Sequence, residues 1–189
     1  MEPDQTFASL RVVVSNTGPL ISALQCDCMH ILRQFYDLIH IASSELAELE
    51  ELGAAVEIRA MIETEFIAVR NLTDSERVTA RAIAEEITQS SMSRDKDPVH
   101  HYPEAEAIVL MERGNLEAVE LLVDELAARE TARRRRIAIV GFPGLLIRAC
   151  QQDLLTPEQV RDTLIECQRQ GTHYSNQFIA EIYQRLRRD

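Results

Sequence analysis

The chain has 189 residues, with 20 Lys plus Arg against 31 Asp plus Glu, a formal net charge of −11. At 46% hydrophobic and 27% charged residues it can build a core, which excludes a disordered chain, and the lack of an apolar run of about 18 residues excludes a membrane-spanning helix. The net charge opposes non-specific binding to phosphate backbones, so any nucleic-acid contact must be local, through a basic patch or a bound cation.

Val12-Val13-Val14 is a β-branched run that ends at the turn residues Ser15 to Pro19, a buried strand followed by a turn. Leu20 to Leu24 reads as a short helix, and Ile31, Leu32, Phe35 and Leu38 recur at helical spacing. Ile39 to Ala42 is a second strand, with Ser43 or Ser44 capping a helix that runs through Leu52. Val56 to Glu65 continues as helix, and Phe66 to Val69 is a third strand. Thr73 to Glu76 forms a capping box ahead of Val78, Ala82, Ile83 and Ile87 on one helix face. Residues 89–97 are a polar loop closed by Pro98.

Glu104 to Met111 is an apolar helix, and Leu121 to Val123 is a strand that stops at Asp124. Glu125 to Arg136 is helical, Ile137 to Val140 is a strand, and residues 141–144 turn into a helix over Leu145 to Ala149. Thr156, Pro157 and Gln159 start a helix that reaches Arg169, and Ser175 starts the last one. Nearly all-apolar strands alternating with helices predict a parallel sheet of four or five strands covered on both faces. Residues 1–150 are expected to form this α/β domain. Residues 151–189 are expected to add helices packed on it or on a partner.

Function in such sheets gathers beyond the carboxyl ends of the strands, where strand order reverses. If the first strand lies beside the fourth, Asn16 and Asp124 share one crevice. The sequence has no G-x-G-x-x-G, no P-loop and no G-x-S-x-G elbow. The position after the first strand, where an aspartyl-phosphate mechanism needs an Asp nucleophile, carries Asn16.

Four segments then carry a resemblance. They are Val14-Ser15-Asn16-Thr17-Gly18-Pro19-Leu20-Ile21, then Pro103-Glu104-Ala105-Glu106-Ala107-Ile108, then Leu122-Val123-Asp124-Glu125 with Arg129 and Ala132, and lastly Ile139-Val140-Gly141 with Gly144-Leu145-Leu146. In this order and spacing they resemble a PIN domain over about residues 11 to 150, in the flavour of prokaryotic PIN-like proteins that begin V-S-N-T-x-P-L. The resemblance implies a three-layer α/β fold and divalent-metal-dependent cleavage of single-stranded RNA, often as the VapC-type toxin of a toxin–antitoxin pair. It implies Mg²⁺ or Mn²⁺ as cofactor and a small antitoxin as partner; a cytoplasmic address is expected instead from the sparse cysteines, acidic start and lack of an apolar span, and a homo-oligomer from the C-terminal helices. Carried over by motif, the acidic site falls on Asn16, Glu48, Glu104 and Asp124, with Thr17 fixing a ligand or a water. Two positions depart from the pattern: the leading acid is Asn16, and Pro103 replaces the usual Gly before Glu104. The Asn leaves a second expectation open, a catalytically silent PIN-fold binding module.

Each site residue also has a plainer reading. Asp124 can cap the helix after it, Glu104 can be a first-turn Glu favoured by the helix dipole, and Asn16 with Thr17 can be a turn. Glu48 lies in an acidic run, Glu45 to Glu51, of the kind that forms a solvated face. Glu106 sits about 200° around its helix from Glu104 and is the weaker candidate. Arg133 to Arg136 fall near the far edge of the sheet, and Arg129 can pair with Glu125. His100 and His101 read as exposed loop residues near the crevice. Cys26-x-Cys28-x-His30 lacks a second pair at zinc spacing, and with Cys150 and Cys167 the cysteines are too sparse for a disulfide framework. The acidic start, Met1 to Gln5, is unlike a basic secretory leader. Phe178, Ile179, Ile182, Tyr183 and Leu186 form a stripe that must pack on the core or on another subunit.

Overall fold

The computed structural model describes residues 10–188; the acidic start Met1 to Gln5 lies outside the described residues. The first strand, β1 (Val12–Ser15), is buried at all four positions and leads into α1 (Thr17–Gln25) and α2 (Met29–Phe35). Next come β2 (Leu38–Ala42), α3 (Ser43–Glu51), α4 (Ala55–Glu63), β3 (Ile67–Arg70) and α5 (Asp74–Gln89). After a 3-10 turn at Pro98–His101 follow α6 (Tyr102–Glu112), β4 (Leu121–Leu122), α7 (Leu126–Arg134) and β5 (Ile139–Val140). The described chain closes with α8 (Phe142–Gln151), α9 (Pro157–Arg169) and α10 (Asn176–Leu186).

All pairings are parallel, in the order β3-β2-β1-β4-β5. Alternation along the strands splits the core in two. Val13 and Leu122 join α1, α2, α8, α9 and α10 on one face. Val14 and Leu121 join α5, α6 and α7 on the other. The result is the three-layer α/β architecture expected from the apolar strands. Because β1 lies between β2 and β4, the reversal of strand order falls at the carboxyl ends of β1 and β4.

Several boundaries differ from the sequence expectation for identifiable reasons. The Gly18-Pro19 pair lies inside α1, because a first-turn residue has no intrahelical N–H bond for Pro to lose. Neither Ser43 nor Ser44 caps α3; Glu45 reaches back to accept from the Ala42 N–H, and Ser44 Oγ donates to Glu106. Likewise α8 begins at Phe142 rather than Leu145, since Pro143 suits a first turn. The last strand shortens to two residues because Arg136 turns the chain at φ 62° and the Ile137 N–H closes onto Ala132 O.

Candidate active site

Asn16 stands at the junction of β1 and α1, tied by its N–H to Leu122 O (3.0 Å). Although Asn is a favoured N-cap residue, its side chain makes no capping bond, and its Oδ1 is buried without a partner. Next to it, Thr17 Oγ1 donates to Glu48 Oε2 at 2.6 Å, fixing an otherwise exposed carboxylate from α3. Gly18 borders the crevice: a Cβ there would lie 3.8 Å from both Asn16 Oδ1 and Asp124 Oδ2. The two oxygens that end β1 and follow β4 therefore face one small space.

Asp124 does not cap the helix after it. Glu125 does that, accepting from the Ala128 N–H. Instead Asp124 Oδ1 accepts from the Phe142 N–H at 2.9 Å, capping α8 across the sheet, while Oδ2 is sealed from solvent with no partner. Burial pushes its pKa up to about 6, against the pull of the Phe142 N–H and the Arg129 guanidinium. Arg129 does not pair with Glu125; its Nη1 donates to Val123 O at 2.9 Å. Both groups crowd Gly141, where a Cβ would meet Asp124 Oδ1 at 2.4 Å and Arg129 Nη1 at 2.5 Å.

Glu104 projects from the first turn of α6, and its Oε2 is also buried without a partner. Burial pushes its pKa up to about 7; its own backbone N–H opposes the rise, and the negative charges of Glu125 and Glu48 add to it. Three chain-distant residues thus each carry a buried oxygen without a partner among the described residues, an expensive arrangement for isolated acceptors.

Other candidates are used elsewhere. Glu106 points away, accepting from Ser44 Oγ beside the fully buried Glu45. Burial first, and then the charge of Glu106, push the Glu45 pKa well up. The acidic run predicts a solvated Glu45, but it is fully buried, and Leu49, one turn on and also fully buried, marks the same inward face. His100 is exposed and pairs with Asp95, whereas His101 is buried against Ser93, so only the former fits the loop expectation. Arg134 and Arg135 are held by Glu86, Glu112 and Glu130. His30 bonds Asp27 O, and Cys26 Sγ instead meets Cys167 Sγ at 2.9 Å. Among the described residues, no three His, Cys, Asp or Glu side chains are gathered closely enough to hold one ion. The candidate residues instead form two neighbourhoods, Asn16 with Asp124, and Thr17 with Glu48 near Glu104.

A parallel three-layer sheet with unsatisfied carboxylate and amide oxygens at its switch point defines a class of α/β proteins whose site suits hard cations and phosphate chemistry. A family profile described as a PIN domain matches residues 12–188, and the chain belongs to the PIN-domain family. The match includes α9 and α10, beyond the span of the motifs. PIN domains are generally nucleases, usually use divalent metals, and act on nucleic acid. No curated protein matches the chain. Among the described residues no helix is long and apolar enough to cross a membrane.

Proposed function

We propose that the protein is a divalent-metal-dependent endoribonuclease that cuts single-stranded RNA and serves as the toxin of a toxin–antitoxin pair. One observation carries the metal-dependent site: Asn16 Oδ1 and Asp124 Oδ2 are buried, unpartnered and face one small space, and a cation is the partner that satisfies both together. The donors fit Mg²⁺ or Mn²⁺, since all are hard oxygens and Mg²⁺ keeps several waters with one or two protein carboxylates. Asp124 and Asn16 would hold it directly, and Glu104 and Glu48, in the second neighbourhood, would act on it through its waters. Such an ion, when bound, polarises the phosphate and supplies a water acidic enough to attack near neutral pH.

The chain's own residues prepare that chemistry. Thr17 orients Glu48 through its hydroxyl. The Phe142 N–H holds Asp124 Oδ1, which leaves Oδ2 turned toward Asn16. Glu104, whose carboxyl burial holds at about 7 in the metal-free protein, gives up its proton as the ion binds. Cleavage of labelled single-stranded RNA in Mn²⁺ or Mg²⁺ tests the proposal: wild type should cut, and Asp124→Asn should be slower by at least about 100-fold. Equal rates in the two proteins would refute it. For the toxin role, a reading frame for a small DNA-binding protein beside the gene is the expected companion.

A second reading, a catalytically silent binding module, is favoured by Asn16 standing where the family's leading acid falls. Asn16→Asp separates the two. It should raise Mn²⁺ affinity and cleavage under the first reading, because ligand charge sets affinity, and change neither under the second.

A further inference from the structure

Beside Asp124, between α10 and the edge formed by α7 and α8, lies a cleft of about 620 Å³ lined by Asp124, Arg129, Gly141, Tyr174, Phe178 and Arg185 among others. We propose that this cleft seats one nucleotide of the single-stranded substrate, its base against Tyr174 and Phe178 and its phosphate between Arg129 and Arg185. The proposal rests on the nuclease reading above for the identity of the substrate.

The volume lies within the range of clefts that take small ligands. Tyr174 and Phe178 sit with ring centroids 5.7 Å apart and planes tilted by 38°, and Phe178 keeps 38% of its surface exposed. An exposed aromatic face is a platform for a base of any identity. The Tyr174 hydroxyl is buried toward Asp124 and Cys167, so the ring meets an occupant with its face and edge. Arg185 forms no ion pair among the described residues, and Arg129, with Nη1 on Val123 O and its charge felt by Asp124, makes no direct ion pair either. Two arginines and two aromatic faces set in a largely apolar cleft match an occupant that is flat and anionic at one end. Because Asp124 belongs both to the cleft and to the acidic site, a nucleotide seated here adjoins the phosphate to be cut. In this proposal α10 and the segment that leads into it form one wall of the substrate path.

Phe178→Ala and Arg185→Gln test the seat, since both side chains are exposed and their loss leaves the core intact. Binding of a labelled single-stranded oligoribonucleotide is measured by fluorescence anisotropy in EDTA, and cleavage in Mn²⁺. Each variant should weaken binding about five- to twenty-fold, raise KM in proportion, and in Arg185→Gln lower the salt slope by about one. Asp124→Asn should lose cleavage and keep binding, while Arg59→Gln on α4 should match wild type in both. Wild-type binding by Phe178→Ala and Arg185→Gln would overturn the seat and leave the nuclease reading standing. Weakened binding in these variants with no metal-dependent cleavage in wild type would keep the seat and remove the nuclease reading. No binding by wild type, or a wild-type dimer that Phe178→Ala dissociates, would also overturn the seat.

Discussion

Asp124 and Glu104 are carboxylates that burial holds at pKa values of about 6 and about 7, above the ordinary 3.8 and 4.5. In that window the folded state keeps protons the unfolded chain has released. The stability these groups leave intact below about pH 4 is therefore lost as pH rises through 6 to 7. In EDTA, the melting temperature of Glu104→Gln relative to wild type should rise with pH between 4.5 and 7.5, approaching about 2 kcal/mol of added stability at the upper end. A pH-independent difference would contradict the assignment. A cation competes with the same protons, so Mn²⁺ affinity should climb about tenfold or more between pH 5.5 and 7.5, as calorimetry can establish. Gly141 supplies a third test at this scale. Its φ of −103° suits any residue, so Gly141→Ala acts through the clash with Asp124 and Arg129, and should cost about 1–3 kcal/mol in urea unfolding together with activity. The motif made Asp124 legible in the sequence. Its capping of α8 was not, because the partner N–H lies 18 residues away on a neighbouring element.

At the scale of elements, what the sequence displays well is whatever depends on near neighbours. The β-branched run of β1, the Thr73 capping box of α5 and the Thr156 capping box of α9 all stand where local pattern puts them. Long-range geometry is what decides the rest. Strands β4 and β5 have two residues each, and their extent follows from pairing rather than propensity. Ahead of β4, Glu120 is clasped by Arg148 from α8 (2.6 and 3.0 Å) and by the Tyr36 hydroxyl just after α2 (2.6 Å). This cluster ties together segments more than 80 residues apart, and no local pattern announces it. Arg148→Met leaves a partly buried Glu120 without its cation, and should cost about 2 kcal/mol by chemical denaturation.

For the molecule as a whole, α9 and α10 are joined to the sheet's core. Val160, Leu164, Ile179, Ile182 and Leu186 are buried in the cluster that contains Val13 and Leu122. Ile179, Ile182 and Leu186 of the α10 stripe are thus covered within the chain while Phe178 stays exposed, a division that periodicity does not give because it fixes a face but not its cover. We infer that the described chain unfolds as one unit, so removing residues 151–189 should abolish the cooperative melt rather than release a stable domain. The strand order that unites Asn16 with Asp124 is equally a property of the whole, and the sequence offered it only as a condition. The central claim is that these chain-distant oxygens are neutralised by one shared cation, and calorimetric titration of Mn²⁺ into the EDTA-treated and dialysed protein tests it most directly. Saturable binding near one ion per chain, with proton release at pH 6.5 and loss in Asp124→Ala, is the expected result. Absence of binding, or binding that Asp124→Ala leaves unchanged, would contradict it.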